Sequence, residues 1–203
     1  MLTRSSGDSR PDGPSDPLLD GLRQSGLIAS GDRVLVAVSG GPDSTALLLA
    51  LHEEGHAVVA AHYDHALQPG SCRVADHVRG LCERLGVEVR IERRESPMPR
   101  GSVQAGARTL RYEFLERARA QAGADVVAIA HTADDVVEGV VLHLLRGCGL
   151  AGLRGMPARR GVFVRPLLSV WKSDVADYLH RRGIEALQDP ANNNDAYARV
   201  RVR

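Results

Sequence analysis

The sequence contains few aromatic residues, few cysteines and a single lysine. Aromatic residues make up 3% of the 203 residues, so we expect a core built from Val, Leu, Ala and Ile. The three cysteines, Cys72, Cys82 and Cys148, are odd in number and widely spaced, which excludes a disulfide framework and a Cys-x-x-Cys metal or redox pair. We expect a protein of the reducing cytoplasm whose cysteines are small buried hydrophobic residues.

The sequence also lacks any long hydrophobic run. No run approaches the roughly 20 apolar residues that a membrane-spanning helix needs, and residues 1–16 lack the apolar region of a secretion signal. The sequence therefore predicts a cytoplasmic protein with no membrane partner. The net charge is only +1, but residues 154–203 carry ten basic against five acidic residues. This basic quarter is interpreted either as a surface for phosphates or as ordinary solvated surface.

Strands and helices alternate along most of the chain. Residues 1–15 are rich in Ser, Gly, Asp and Pro and are predicted to be a disordered tail, so residues 16–203 form the expected domain. The alternation predicts an α/β fold, with a doubly wound, mostly parallel five-stranded sheet and helices on both faces. The expected strands are Val34–Val38, Ala57–His62, Val87–Ile91, Asp125–Ala130 and Phe163–Leu168.

The chain is organised around the turn that follows the first of these strands. Its residues are Ser39, Gly40, Gly41, Pro42, Asp43 and Ser44, and an apolar helix follows directly. Glycines let backbone N–H groups point to one spot at a helix N-terminus, where the helix dipole favours an anion. A Walker A loop would need a Lys before the final Ser or Thr, and the only lysine, Lys172, is distant in sequence. The turn is thus a candidate phosphate loop, or an ordinary capped turn between strand and helix.

Acidic residues open the helix after the fourth strand. His131 ends that strand, and Asp134, Asp135 and Glu138 fall in or next to the first turn of the helix. Acids in this position stabilise a helix as caps. They equally suit a Mg²⁺ site or a general base at the carboxyl edge of the sheet.

Two arginines lie near the start of the long helix that begins at Ser102. Arg108 and Arg111 are three residues apart and share a helix face. Their guanidinium groups could clamp a phosphate, or they could form a solvated stripe with Glu113 and Glu116.

Several motifs carry a family resemblance. The turn 39–44 resembles the PP-loop of the ATP pyrophosphatase superfamily, whose members split ATP into AMP and pyrophosphate. In order along the chain, five further stretches are similar to motifs of one branch: residues 64–67, 103–112, 131–156, 165–168 and 189–203. Together they resemble the N-terminal catalytic domain of the tRNA(Ile)-lysidine synthase family over roughly residues 30–203.

The resemblance implies a complete reaction. ATP binds through Ser39, Gly40, Gly41, Pro42, Asp43 and Ser44, with adenine near Ala61 and Tyr63 and Mg²⁺ near Asp43 and Asp135. The C2 oxygen of the wobble cytidine of tRNA(Ile) with a CAU anticodon attacks the α-phosphate and releases pyrophosphate. L-Lysine then attacks C2, and AMP leaves.

It also implies roles for individual residues. Arg108, Arg111 and Arg199 neutralise charge at the α-phosphate, Asp135 or Glu138 holds lysine or takes its proton, and Asp43 and His131 are further catalytic candidates. The residues expected to meet tRNA are Arg146, Arg199, Arg201 and Arg203. A second copy of the chain, in a homodimer, completes the set of candidate partners.

The sequence departs from the family pattern at a few positions. Val136, Gly139, Gln68 and Val200 stand where the family usually has Gln, Thr, Arg and Asn, and the helical tRNA-binding region that normally follows this domain is expected to be absent. Two other interpretations stay open: another PP-loop enzyme, such as a tRNA thiolase or an amide-forming ligase, and a truncated nucleotide- or RNA-binding remnant. A thiolase is disfavoured because no Cys-x-x-Cys is present.

Overall fold

Strands and helices alternate as the sequence predicts. The computed structural model describes residues 15–67, 71–95, 102–147 and 154–187. Within these ranges the helices are α1 (Pro17–Gln24), α2 (Pro42–Glu53), α3 (Cys72–Leu85), α4 (Val103–Ala122), α5 (Ala133–Leu145) and α6 (Lys172–Arg181). The strands are β1 (Arg33–Ala37), β2 (Ala57–Asp64), β3 (Glu88–Arg93), β4 (Val126–Ala128), β5 (Arg159–Arg160) and β6 (Phe163–Val164). The expected tail falls almost wholly outside the described residues.

The strands form one mixed sheet in the order β3-β2-β1-β4-β6-β5. β1 lies near the centre, with Val36 paired in parallel to Ala60 of β2 and to Ala128 of β4. Only β5 and β6 pair antiparallel among these strands. The predicted α/β class with a mostly parallel sheet is confirmed.

The described sheet has six strands where the sequence predicts five. The additional strand is β5, which a turn at Gly161 (φ 59°) connects to β6. β6 is also shorter than predicted and ends at Val164, because Pro166 has no N–H to continue the ladder.

Two apolar clusters cover the two faces of the sheet. On one face α2, α3 and α6 pack on Val34 and Val36; on the other, Phe114 and Leu115 of α4 pack on Leu35. α2 is buried from Ser44 to its last turn at Leu51, which explains why its sequence is apolar on all sides. The aliphatic core that the composition predicts is therefore present.

The cysteine prediction holds for one of the two described residues. Cys82 is buried in the first cluster, and burial raises the pKa of its thiol to about 11. Cys72 is exposed at the start of α3, so the expectation that it is buried was wrong; that position begins a helix on the surface. Cys148 lies outside the described residues.

The topology places several polar segments at one edge of the sheet. β1, β2 and β4 are adjacent and parallel, so their carboxyl ends meet where ligands bind in open α/β folds. The segments that follow these ends are residues 39–44, 65–67 and 129–132. None of the described helices has the length and apolarity needed to cross a bilayer.

Candidate active site

The phosphate loop is held in shape by its own side chains. The Ser44 hydroxyl accepts from the Ser39 N–H at 3.0 Å and donates to the Gly41 carbonyl at 3.1 Å. The Ser39 hydroxyl lies 3.0 Å from that of Ser44 and accepts from the Gly41 N–H at 3.3 Å. Gly41 is the N-cap of α2 and makes no side-chain cap, and Pro42 opens the helix. The first N–H groups of a helix have no partner within it, so this end of α2 can bind an anion through its backbone.

Gly40 sits where no other residue fits well. Its φ of 88° is in the left-handed region, and an added Cβ would lie 2.8 Å from Val74 Cγ1 of α3. Its carbonyl accepts a hydrogen bond from the Leu187 N–H at 3.1 Å. Leu187, the last described residue, thus contacts the phosphate loop directly.

The end of β2 offers less to a nucleotide than predicted. Successive strand residues face opposite sides, and the Ala61 side chain is buried in the α4 cluster while its carbonyl accepts from the Val38 N–H at 2.8 Å. The Tyr63 ring is half-buried and packs against Phe114 and His65, with ring centroids 5.4 and 4.9 Å apart. Both residues lie at the expected edge, but Ala61 presents no side chain to it.

A tight turn follows β2. The Asp64 carboxylate is buried, with Oδ1 accepting from the Ala66 N–H at 2.8 Å and Oδ2 accepting from the Ser71 hydroxyl at 3.1 Å. Ala66 has a φ of 48°, a conformation that costs an alanine about 1–2 kcal/mol.

The two arginines of α4 gather around Tyr112. Arg108 Nη2 donates to the Tyr112 hydroxyl at 3.3 Å, and the guanidinium carbons of Arg108 and Arg111 lie 5.0 and 5.8 Å from its ring centroid. Burial lowers the pKa of Arg111. No ion pair joins either arginine to Glu113 or Glu116, all four of which are described, so the expected pairing is not formed, although Arg108, Glu113 and Glu116 are exposed. A cationic pair without a carboxylate is suited to an anionic ligand.

A third arginine, Arg165, joins this group from beyond β6. Its side chain is 3% exposed and donates to His131 Nδ1 at 3.1 Å, to the Pro157 carbonyl at 2.8 Å and to the Tyr112 hydroxyl at 3.4 Å. Because Arg165 donates to Nδ1, the ring proton of neutral His131 is assigned to Nε2. Burial, reinforced by the charge of Arg165, lowers the pKa of His131 to about 4. At neutral pH His131 can donate a hydrogen bond through Nε2 but carries no charge.

Asp135 is the best-connected of the acids of α5. Its Oδ2 accepts from the Thr132 N–H at 2.9 Å and from the Thr132 hydroxyl at 3.2 Å, and its Oδ1 lies 3.2 Å from Lys172 Nζ. Burial alone would raise the pKa of Asp135, but the Thr132 N–H and the charge of Lys172 outweigh it and lower the pKa. Asp135 is therefore an ionised cap of α5, which is the capping role predicted as one alternative for these acids. It also faces the site.

The predicted Mg²⁺ ligands do not form a cluster. Asp135 already holds an ammonium and two further donors, and the described residues contain no group of three metal-binding side chains. Asp135 as it stands does not fit a metal. Asp43 lies in the first turn of α2, and Mg²⁺ often takes only one or two carboxylates together with substrate phosphates, so Asp43 fits such a role.

The remaining predicted residues spread over a larger area. Glu138 is buried one turn beyond Asp135. Arg146 is the exposed C-cap of α5, eleven residues and hence about 16 Å from Asp135 along the helix. Arg199, Arg201 and Arg203 lie outside the described residues. The structure thus brings Arg108, Arg111, His131 and Asp135 to the edge that carries the phosphate loop, and separates Arg146 from them.

Sequence reasoning did not find Arg165 and Lys172 as site residues. Both contact predicted site residues that are more than 30 positions away in sequence: Arg165 donates to His131, and Lys172 pairs with Asp135. A signal for Lys172 was available, because it is the only lysine beside 25 arginines. Arg165 precedes Pro166 where a strand must end, but nothing local shows that its side chain is buried.

Comparisons with known proteins agree with this arrangement. A family model described as a PP-loop domain matches residues 19–203. The chain is 38% identical over 182 residues to tRNA(Ile)-lysidine synthase of Bacteroides thetaiotaomicron, covering 87% of this chain and 43% of that protein. It is 41% identical over 192 residues to the protein of the same name from Rhizobium meliloti, covering 84% and 42%. The chain thus spans about two fifths of the length of these relatives.

Solved structures show the same fold. The U34-tRNA thiolase NcsA from Methanococcus maripaludis is similar with a TM-score of 0.71 and 17% identity, covering 85% of this chain and 65% of that one. The NH3-dependent NAD synthetase from Campylobacter jejuni is similar with a TM-score of 0.54 and 17% identity, covering 83% and 71%. At this identity the likeness concerns the fold alone.

Proposed function

The chain belongs to the PP-loop domain family of ATP-binding proteins, and from this premise we propose that it is the catalytic domain of an enzyme that forms lysidine. In this proposal residues 16–203 join L-lysine to C2 of the wobble cytidine of tRNA(Ile), and ATP is converted to AMP and pyrophosphate. The observation that carries the proposal is the 38–41% identity to two proteins named for this reaction, together with the cationic cluster beside the phosphate loop.

The first step is adenylation of the base. ATP phosphates would lie on the backbone N–H groups at the start of α2, and the C2 oxygen of cytidine would attack the α-phosphate as pyrophosphate leaves. Charge builds on the phosphate oxygens in such a transition state, and preorganised donors stabilise it. Arg108 and Arg111 are suited to this role because they face the same edge and have no carboxylate partner among the described residues. Asp43 would hold the Mg²⁺ that accompanies ATP.

The second step needs lysine as a neutral nucleophile. The lysine amine would attack C2, the bond to AMP would break, and a base must take the ammonium proton. Asp135 is a poor base because its pKa is lowered and both its oxygens are engaged. We therefore assign the proton transfer to Glu138, which is buried one turn further along α5. His131 would donate from Nε2 to an oxygen of the base or the phosphate.

The tRNA would extend from this edge across the basic part of the chain. Arg146 and, outside the described residues, Arg199, Arg201 and Arg203 are the proposed phosphate contacts. Leu187 rests on Gly40, and twelve positions separate it from Arg199. The role of Arg199 at the α-phosphate is proposed from the family resemblance. With these partners, the proposed location of the enzyme is the cytoplasm.

The proposal includes a homodimer. α5 leaves Val137, Leu144 and Leu145 exposed, and Leu145 is 74% exposed. Among the described residues this helix is apolar along most of its length but buries only Ala133 and Glu138. Exposed apolar patches mark association surfaces, and a second copy of the chain would cover this one.

The test of the function is the dependence of AMP formation on both co-substrates. AMP release from labelled ATP is expected only with the CAU-anticodon tRNA(Ile) and to be increased by L-lysine. AMP release that depends on neither the tRNA nor L-lysine would indicate a different PP-loop enzyme. No release despite tight ATP binding would indicate a nucleotide-binding remnant.

A further inference from the structure

Lys172 is an exception in the composition of this chain. The sequence has 25 arginines and a single lysine, so a basic residue here is almost always arginine. This one lysine is the first residue of α6, and its Nζ lies 3.2 Å from Asp135 Oδ1. Both side chains are partly covered, at 30% and 22% exposed.

Helix stability does not explain this position. A cation in the first turn of a helix opposes the helix dipole, which favours acids there. The N–H of Lys172 donates to Asp134 Oδ2 at 2.8 Å, and Ala133 N–H donates to the Val170 carbonyl at 2.9 Å. These two hydrogen bonds connect the starts of α5 and α6 and hold the ammonium of Lys172 next to Asp135.

The geometry at Asp135 suits an ammonium better than a guanidinium. Thr132 already donates twice to Oδ2, at 2.9 and 3.2 Å, which leaves Oδ1 for one compact donor. A guanidinium favours both oxygens of a carboxylate at once. Lysine is therefore the basic residue that fits, even in a chain that otherwise uses arginine.

We propose that Lys172 is the resident cation of Asp135, in place of a divalent metal, and is a positioning residue of the site. Its ammonium fixes the carboxylate at the start of α5, beside His131 and one turn before Glu138. The part of this inference that concerns catalysis rests on the proposed function. The ion pair and the exclusion of metal from Asp135 do not.

The ion pair is tested without any activity. In protein labelled with ¹⁵N-lysine, one ε-ammonium signal arises, since the chain has one lysine. An ammonium held in an ion pair exchanges slowly enough to be seen at low temperature, so we expect the signal in the wild type and its loss in Asp135→Asn. Asp174→Asn, which changes the acid that caps Trp171 on the same helix turn, is the matched control and is expected to keep the signal. Persistence of the signal in Asp135→Asn would overturn the pairing.

The exclusion of metal is tested in the same sample. Addition of Mg²⁺ without nucleotide, at constant ionic strength, is expected to leave the signal in place. Loss of the signal on Mg²⁺ addition, but not on addition of NaCl to the same ionic strength, would show that metal displaces Lys172 and would overturn the inference.

The positioning role is tested by kinetics. Lys172→Arg is expected to lower kcat for AMP formation at least tenfold with the KM for ATP changed less than threefold, and Lys172→Met to lower kcat further. The control is the reverse exchange at the other end of the helix, Arg181→Lys, which is expected to leave kcat unchanged. A wild-type kcat in Lys172→Arg would refute the role. An inactive wild type that still shows the ion pair would count against the proposed function and leave the resident cation established.

Discussion

The uncharged state of His131 has a consequence for stability that can be measured. Burial and the charge of Arg165 lower the pKa of His131 to about 4, from an ordinary value of 6.5. Above pH 6.5 the residue is neutral in both the folded and the unfolded chain and contributes no pH dependence. Between pH 6.5 and 4 the unfolded chain binds the proton more readily, so the free energy of unfolding falls as the pH falls.

The size of this effect follows from the two pKa values. A difference of one pKa unit is worth about 1.4 kcal/mol. The span between the two pKa values therefore lowers the free energy of unfolding by about 3 kcal/mol as an upper bound. Because the ring is partly exposed, we expect about 2 kcal/mol by pH 4.5. Buried His62 and half-buried His65, whose pKa values burial also lowers, act in the same direction, so only the difference between variants isolates His131.

The assay is urea unfolding of the wild type and His131→Asn from pH 7.5 to 4.5. Asparagine keeps an oxygen that can accept from Arg165, but it does not titrate. The wild type is expected to lose about 2 kcal/mol more than His131→Asn over this range. His143→Asn, on the exposed face of α5, is the control and should follow the wild type. Equal losses in the wild type and His131→Asn, or an NMR pKa of His131 above 6, would refute the account of the Arg165 contact.

Three further changes test the scaffold and the assembly. Ala66→Gly is expected to stabilise the protein by about 0.5–1 kcal/mol in urea unfolding. The glycine relieves about 1–2 kcal/mol of left-handed strain, and the greater entropy of its unfolded chain offsets about 0.4–1 kcal/mol of that gain. A destabilised variant would contradict the φ of 48°. Gly40→Ala is expected to weaken ATP binding at least tenfold by calorimetry, because its Cβ would lie 2.8 Å from Val74. Gly41→Ala is the comparison variant, and its free energy of unfolding is expected to equal that of the wild type. Leu145→Glu is expected to shift the protein towards a monomer in sedimentation analysis, whereas Val103→Glu, also exposed but on α4, should not; a wild type that is monomeric throughout would exclude the homodimer.

The fold was largely predictable because its signals are local. An apolar strand, a glycine-rich turn and an apolar helix follow one another at Val34 to Leu51, and this pattern alone predicts β1, the phosphate loop and α2. The short strand β5 was missed because two exposed arginines carry no strand signal. β6 ends early because Pro166 cannot donate a hydrogen bond.

The candidate site was predictable only where its residues lie on one element. Arg108 with Arg111, and Asp134 with Asp135, are neighbours on single helices, and their positions at the carboxyl edge follow from the parallel sheet. The contacts of Arg165 with His131 and of Lys172 with Asp135 span 34 and 37 positions. Such contacts depend on how β6 and α6 pack beside α5, which no local pattern reveals. The glutamate pairing expected for Arg108 fails for a local reason, since its hydrogen-bond partner is Tyr112, four residues further along the same helix.

The most direct test of the proposed function is transfer of lysine to tRNA. With ATP, ¹⁴C-lysine and a tRNA(Ile) transcript with a CAU anticodon, radioactivity is expected in the tRNA and, after digestion, in a single modified nucleoside. A transcript with uridine in place of the wobble cytidine should stay unlabelled. Labelling of both transcripts, or AMP formation with no lysine in the tRNA, would contradict the account.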